Sequence, residues 1–376
     1  MRGHKVERRP GVWRLVVSNK FGDDGKRRQE VRTFKGSSRG ADRELTRMLG
    51  SLDDGTLGDG FQRLDTYLAD EWLPAVAAVS KRGRPLAPTT SQRYADAVGH
   101  VSRVIGRVRL ADLRPSHVEK LRDRLLAEGD LAPQTVADVM RVLAQALSAA
   151  EAKGYVGRNP AQARLVNRPV GDKPTFTVID AGLARRILEA VVGAEPWDVA
   201  AHLALGLTLR REEVLGLRWA DVDGDSIRIR QTLTYAAGEY HFGPPKSDAS
   251  VRDLPLPAFV ARSIRRHRAS QAERLLAIGI RDPELVVDNG LGEPWLPASF
   301  STGWRRFAVA QGFGEVTFHT LRHGAATLML AGGVPDAVAI TVMGHADTRV
   351  LRRYQEVVDE LKQDAAARMD GLLGRL

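Results

Sequence analysis

The first fifty residues contain short stretches in which apolar and polar positions alternate, and these stretches predict a small β-sheet followed by a helix. Residues 12–18 alternate as a strand does, since successive side chains of a strand point to opposite faces. Residues 27–34 are a second strand candidate. A glycine-containing turn is predicted between them at 21–25, and residues 41–52 have the apolar spacing of a short helix. The apolar face of the first strand consists of Trp13, Leu15 and Val17.

The segment 61–165 has the apolar period of helices and follows a glycine-rich linker at 55–60. Its first helix is predicted over 61–78, with an interruption at Pro74, because proline lacks the amide hydrogen that a helix interior needs. Its longest helix is predicted to begin at Pro133 and to end near residue 154. We therefore expect a small helical bundle in the middle of the chain.

The last part of the chain predicts a mixed, mainly helical domain. A proline- and glycine-rich stretch at 167–174 separates it from the bundle, and helices flank one β-hairpin region at about 226–235 and 251–257. The predicted fold class is multidomain α+β. The predicted domains are residues 1–56, a sheet-plus-helix module; 57–170, a helical bundle; and 171–376, a mainly helical domain with a small β-sheet.

Composition limits the kinds of site that the chain can hold. The chain has no cysteine, so disulfides, cysteine-ligated zinc and thiol catalysis are excluded. No stretch approaches the roughly 20 consecutive apolar residues of a membrane span. Residues 1–10 lack the apolar core of a secretory signal. The cytoplasm is therefore the expected compartment, with no membrane partner.

The net charge of +10 is concentrated in the first module. Residues 1–50 hold 14 lysines and arginines and six acidic residues, which gives them +8 of that total. Such an excess suits a polyanionic partner, although solvated tails have it too. Because this segment is patterned as strands, we favour a sheet that enters a DNA groove. The candidate DNA contacts are Arg14 in the first strand and, on one face of the second, Arg28 and Arg32.

Three segments of the last domain carry cationic and imidazole groups in patterns that indicate chemistry. In the first, residues 207–223, the apolar positions predict that Arg210 lies at the start of a buried helix. A buried arginine needs an anionic partner, which can be Glu213 or a bound phosphate. An Arg–Glu pair of this spacing is more often structural than catalytic, so this segment alone leaves both readings open.

The second segment is His319-Thr-Leu-Arg-His323. On a helix, His319 and Arg322 share a face, and the two histidines are four residues apart, which also suits a metal ion. No acidic third ligand lies nearby, and the arginine between the histidines disfavours a cation. In the third segment, Tyr354 follows His345 by nine residues. Taken singly, this tyrosine fits the edge of a core better than a nucleophile.

Together the three segments resemble the tyrosine recombinase (phage integrase) family. They match its Leu-Arg-x-x-Glu segment with a later Trp-x-Asp, its His-x-Leu-Arg-His motif, and its Gly-His motif with a tyrosine nine residues on. A lysine in the expected place precedes the strand-like stretch Val251-Arg-Asp-Leu-Pro-Leu-Pro257. One departure is Thr208, where the family usually has glycine. The matched catalytic positions are Arg210, Lys246, His319, Arg322, His345 and Tyr354, with Glu213 in support.

The resemblance implies phosphoryl transfer that needs no cofactor, neither a metal nor a nucleotide. Tyr354 would attack a DNA phosphate and form a 3′-phosphotyrosine, with His319 as the base. Lys246 would protonate the departing 5′ oxygen. The remaining implied roles are bidentate phosphate binding by Arg210 and Arg322, a hydrogen bond from His345, and orientation of the set by Glu213.

The resemblance also implies partners and assembly. Residues 61–165 are similar to the family's core-binding domain, and residues 1–52 to the arm-binding module of many integrases. The expected partner is double-stranded DNA with attachment sites, on which a homotetramer exchanges strands between two duplexes. DNA-bending or directionality factors are further candidates. The helix after Tyr354 is expected to pack either on its own domain or on a neighbouring protomer.

Three alternative functions remain. A Xer-type resolving recombinase has the same chemistry but usually lacks the basic N-terminal module, so residues 1–52 favour an integrase of a phage or other mobile element. A type IB topoisomerase shares the catalytic set but acts without site preference. A non-catalytic DNA-binding protein on this fold is the alternative from another class, and the complete six-residue set argues against it.

Overall fold

The structure is a computed structural model. Two of the predicted catalytic positions lie outside the residues that it describes. His345 and Tyr354 lie outside the described residues, as do the linker at 55–60 and most of the turn predicted at 21–25. The structure describes residues 3–21, 27–53, 62–78, 85–171 and 177–344.

The chain divides into two compact units, Met1–Lys173 and Pro174–Leu376. Their border lies within the proline- and glycine-rich stretch at 167–174. The first unit contains two separate hydrophobic cores, one under the sheet and one inside the bundle. A division of this unit into two domains stays a prediction.

The N-terminal part of the first unit is a three-stranded antiparallel sheet with one helix packed on it. Its elements are β1 Gly3–Arg9, β2 Val12–Phe21, β3 Arg27–Lys35 and α1 Ser38–Asp53, in the sheet order β1-β2-β3. The predicted apolar face is confirmed, since Leu15 and Val17 are fully buried against Met48 of α1. Strand β1 was missed because it has one apolar residue, Val6, among charged ones, as edge strands often do.

The rest of the first unit is the predicted helical bundle. Its elements are α2 Leu64–Thr66, a π-helical stretch Tyr67–Trp72, α3 Leu73–Ala78, α4 Pro88–Ile105, α5 Pro115–Glu128 and α6 Pro133–Ala152. The predicted interruption at Pro74 is wrong, because the helix continues through it. The amide of Leu73 donates to the carbonyl of Leu68, and this wider turn makes room for the proline ring. The long helix predicted from Pro133 is confirmed as α6.

The second unit is built around the buried helix α8. Its helices are α7 Ala181–Val191, α8 Trp197–Leu207, α9 Arg211–Gly216, α10 Ala258–Leu276, α11 Pro297–Ala310, α12 Phe318–Ala331 and α13 Asp336–Met343. Five apolar residues of α8 have no exposed surface: Val199, Ala200, Ala201, Leu203 and Ala204. Within the described ranges, no helix has the length and apolarity that a membrane span requires.

Two small sheets stand beside these helices. The strands are β4 Val222–Asp223, β5 Ser226–Ile229, β6 Thr232–Ala236, β7 Glu239–Gly243 and β8 Arg252–Pro255. The predicted pairing of the 226 and 252 regions is confirmed, because β5 pairs with β8. A second hairpin, β6–β7, was not predicted. Its turn uses Ala237 and Gly238, both at positive φ, in place of the Asn-Gly that usually marks such turns.

Candidate active site

The predicted catalytic arginine Arg210 follows a sharp turn at the end of α8. Thr208 is in the left-handed region, with φ of 55°, and it is buried. Its hydroxyl donates to the carbonyl of Val342 at 3.3 Å. Glycine adopts this left-handed conformation without strain. Here the same conformation is adopted by a threonine, whose side chain is held by a hydrogen bond.

Glu213 is the central acceptor of the site. Its Oε2 accepts from the amide of Arg210 at 2.9 Å, and its Oε1 accepts from Arg210 Nη1 at 2.7 Å. Burial opposes the charge of this carboxylate, but the hydrogen bonds and charge of Arg252, followed by those of Arg210, lower its pKa below 4.5. Glu213 is therefore an anion that fixes the direction of the Arg210 guanidinium.

Arg252, in β8, is a third arginine of the site and was missed by the sequence analysis. It is 8% exposed, and its guanidinium meets both oxygens of Glu213, at 3.2 and 3.1 Å. The sequence contained a signal for its burial, because Arg252 and Leu254 are two residues apart in a strand and therefore share its inner face. A buried arginine implies an anion nearby, but the sequence did not identify Glu213 as that anion.

Arg322, on α12, is more deeply buried, with 2% of its surface exposed. One Nη donates to the carbonyl of Thr208 and the other to that of Met343 at 2.7 Å. Its Nη1 lies 3.9 Å from Glu213 Oε2. Three arginines thus lie around one carboxylate, and they bring fixed positive charge to the place where the phosphate is expected.

The end of α13 is held by all three arginines. The carbonyl of Val342 accepts from Arg252 Nε at 2.8 Å, that of Met343 from Arg322, and that of Gly344 from Arg210 Nη2 at 3.3 Å. These are terminal carbonyls of a helix, which lack partners within the helix and carry its partial negative charge. Residue 344 is the last one described before His345, so the roles of His345 and Tyr354 stay predictions.

Gly344 occupies a place where an added side chain would press on Arg252. Its φ is 63°, and a Cβ there would lie 2.9 Å from Arg252 Nη1. We expect Gly344→Ala to lower the free energy of unfolding by about 1–2 kcal/mol for the left-handed backbone alone, and to slow cleavage by displacing Arg252. Gly333→Ala is the control, because Gly333 also has positive φ but faces open space. Equal cleavage rates for the two variants would contradict this account.

His319 lies in the first turn of α12, and its ring meets that of His323 edge to face with 4.4 Å between centroids. It also lines a cleft of about 540 Å³ together with Arg211, Arg305 and the start of α12. Although part of the residue is exposed, desolvation by the surrounding protein and then the charge of Arg322 lower the pKa of His319 below 6.5. The neutral imidazole, which a base requires, is therefore the main form at pH 7.

The lowered pKa of His319 leads to an expected pH profile. Acid protonates a base and removes its activity, so a depressed pKa moves the acidic limb of the cleavage rate to below pH 6.5. We expect His319→Gln to remove this limb and to leave a slower, flatter profile. Single-turnover cleavage measured between pH 5 and 8 checks this. The assignment fails if the limb persists in the variant.

Lys246 is exposed in the loop between β7 and β8, after the hairpin and not within it. The C-terminal end of this loop contacts the site, because the hydroxyl of Ser250 donates to the carbonyl of Gly344 at 3.0 Å. Arg210, Glu213 and Arg322 are thus brought together by the fold. His319 lies on the same helix as Arg322, three residues before it, and Lys246 lies in the loop whose Ser250 donates to Gly344.

The structure places two of the predicted DNA contacts of the N-terminal module, Arg14 and Arg32, on different faces. Arg32 is on the side of the sheet that faces α1, where it forms an ion pair with Glu44. Arg14 pairs with Val6 and Thr33 on the opposite, open face. Arg28 lies in β3, but its side chain is outside the description. Arg14 and Arg32 therefore lie on opposite faces of the sheet, and their contacts with DNA stay predictions.

Known proteins share this sequence pattern and fold. The phage integrase family model matches residues 184–360. An integrase of Saccharopolyspora erythraea is 26% identical, with 96% of this chain and 94% of that protein covered. The integrase of transposon Tn1549, solved with transposon right end DNA, matches 81% of this chain and all of that chain, with a TM-score of 0.65 and 16% identity.

A further structural match is a lambda integrase tetramer bound to a Holliday junction. It covers 92% of this chain and 96% of that chain, with a TM-score of 0.55 and 18% identity. The predicted fold is thereby confirmed, and the integrase names and the family match confirm the predicted class of DNA strand-exchanging recombinases. The resemblance to the tyrosine recombinase (phage integrase) family is thus confirmed, with the family model matching the part of the chain that carries the predicted catalytic segments.

Proposed function

We propose that this chain integrates or excises a mobile element by cleaving and rejoining DNA through a phosphotyrosine at Tyr354. The observation that carries the proposal is the cluster of Arg210, Arg252 and Arg322 around the single carboxylate of Glu213. Fixed guanidinium groups suit a phosphate that gains negative charge during displacement.

The expected chemistry exchanges one phosphate ester for another. The Tyr354 oxygen bonds to phosphorus as the bond from phosphorus to the 5′ oxygen breaks. His319 takes the phenol proton, and Lys246 supplies a proton to the 5′ oxygen. The product is a 3′-phosphotyrosine and a free 5′ hydroxyl. Since the bond type is conserved, a second 5′ hydroxyl can reverse the step on another strand without nucleotide hydrolysis.

The expected assembly is a homotetramer on two DNA duplexes that carry attachment sites. The similarity to the lambda integrase tetramer on a Holliday junction supports this arrangement. We also expect DNA-bending or directionality factors as further partners of this assembly. The expected setting is the cytoplasm of a bacterial cell or of a phage-infected bacterial host.

The N-terminal sheet favours an integrase over a Xer-type resolving recombinase, and we propose that its open face binds arm-type DNA. We expect Arg14→Ala to weaken duplex binding and to reduce the slope of log affinity against log salt by about 1, as the loss of one phosphate contact does. Arg39→Ala, at an exposed position of α1, is the control and should leave the slope unchanged. A slope that is identical for Arg14→Ala and wild type would exclude Arg14 as a phosphate contact.

The experiment that tests the proposed function is a trap with a nicked suicide substrate that contains the attachment site. After cleavage the short fragment diffuses away, so protein should accumulate on DNA. Peptide mapping should place the adduct at Tyr354. Because arginine and lysine perform the charge and proton steps proposed here, the yield should be unchanged in EDTA. An adduct elsewhere, or an adduct that EDTA abolishes, would contradict this mechanism.

A further inference from the structure

Arg252 joins three parts of the site that are distant in sequence. Its guanidinium contacts Glu213 on α9 through both oxygens, and its Nε donates to the carbonyl of Val342 at 2.8 Å. Its Nη1 also donates to the carbonyl of Ser250 at 2.9 Å, in the loop that carries Lys246. A single buried side chain is thus bonded to α9, to the end of α13 and to the Lys246 loop.

Each oxygen of Glu213 is shared between two arginines. Oε1 accepts from Arg210 Nη1 at 2.7 Å and from Arg252 Nη1 at 3.2 Å. Oε2 accepts from the Arg210 amide at 2.9 Å and from Arg252 Nη2 at 3.1 Å. The two parallel hydrogen bonds from Arg252 therefore fix the plane of the Glu213 carboxylate. The carboxylate in turn orients the Arg210 guanidinium.

We propose that Arg252 is a positioning residue for DNA cleavage, which acts by orienting Arg210 through the Glu213 carboxylate that both arginines share. This inference rests on the proposed function, since it assigns a role within the same reaction. Arg252 itself points at protein oxygens: one carboxylate and two backbone carbonyls. It is Arg210, at 29% side-chain exposure, that is open to an incoming phosphate.

A lysine cannot replace Arg252 in this role. Its ammonium group keeps the charge but cannot present parallel donors to both carboxylate oxygens while donating to Val342 and Ser250. The carboxylate would then be free to rotate, and the Arg210 guanidinium would move with it. Misplacement of a phosphate-binding group by about 1 Å costs on the order of 100-fold in rate.

The first test is single-turnover cleavage of the suicide substrate by Arg252→Lys. We expect a loss of about 10- to 100-fold in the cleavage rate constant, with DNA affinity within about twofold of wild type. The matched control is Arg228→Lys. Arg228 lies on the neighbouring strand β5 and also pairs with a carboxylate, at 3.0 Å from Asp253, but both side chains are mostly exposed. The control should cleave at the wild-type rate.

The second test distinguishes positioning from a general structural role. In an Arg210→Lys background, Arg252→Lys should slow cleavage by less than about threefold, because the residue through which it acts has already been changed. A substrate with a neutral methylphosphonate at the scissile position should likewise reduce the effect of Arg252→Lys. A purely structural effect would multiply with Arg210→Lys and would be the same on both substrates.

The outcomes separate this inference from the proposed function. If wild type forms no adduct at Tyr354, the proposed function fails first. If wild type cleaves and Arg252→Lys cleaves equally well, or the two arginine changes multiply, the positioning role is overturned. Should Arg252→Lys fail to fold by circular dichroism, Glu213→Asp provides the same test from the carboxylate side. Its effect must also be less than multiplicative with Arg210→Lys, and a multiplicative result counts against the proposal.

Discussion

Tyr354→Phe is expected to reduce DNA cleavage by at least about 10⁴-fold, as removal of a nucleophile does in covalent catalysis. The change deletes one oxygen atom and retains the aromatic ring, so DNA binding should stay within about twofold of wild type. Binding by gel shift and covalent complex on the suicide substrate, measured side by side, check this expectation. If wild type forms the covalent adduct and Tyr354→Phe binds DNA without forming it, the chain is not a non-catalytic DNA-binding protein.

Tyr235→Phe is the matched control, because Tyr235 is an exposed tyrosine on the β6–β7 hairpin. It should form covalent complex at the wild-type rate. Covalent complex that persists in Tyr354→Phe would show that another residue is the nucleophile.

Arg322→Lys is expected to have the second-largest effect, a loss of roughly 10²- to 10³-fold in cleavage, which is typical when a fixed donor to developing charge is removed. The arginine fork spans the carbonyls of Thr208 and Met343, and one ammonium group cannot replace both donors in that geometry. Because the group is buried, we also expect a lower unfolding temperature. Cleavage at a temperature well below the unfolding midpoint separates the two effects.

The control for Arg322→Lys is Arg265→Lys, at an exposed position of α10 in the same unit. It should leave both cleavage and unfolding temperature unchanged. A variant Arg322→Lys that is destabilised but cleaves at the wild-type rate would remove Arg322 from the reaction and leave it a structural role.

Most of the fold was predictable because periodic apolar patterns dominate its long elements. Helix α6 and strand β2 have strong patterns and were found. What was missed depends on local geometry that the pattern does not contain. Strand β1 is a charged edge, the helix through Pro74 relies on a π turn, and the β6–β7 hairpin turns at a residue pair with a weak signal.

The candidate site was predictable where its residues are close in sequence. Arg210 and Glu213 are three apart, as are His319 and Arg322, so one helical turn is enough to relate them. Arg252 is 39 residues from Glu213, and their contact depends on how β8 packs against α9. The placement of Arg14 and Arg32 on opposite faces of the N-terminal sheet likewise depends on the cross-strand register, which the apolar pattern does not contain.

If Arg210 and Arg322 bind the scissile phosphate as proposed, the backbone oxygens at the end of α13 compete with DNA for the same donors. Arg322 donates to Met343 and Arg210 donates to Gly344, and these two guanidinium groups are also the expected ligands of the scissile phosphate. A phosphate that takes over any of these hydrogen bonds weakens the attachment of the helix end from which the chain continues to Tyr354. Phosphate binding at these two arginines and the attachment of this helix end would therefore be linked equilibria.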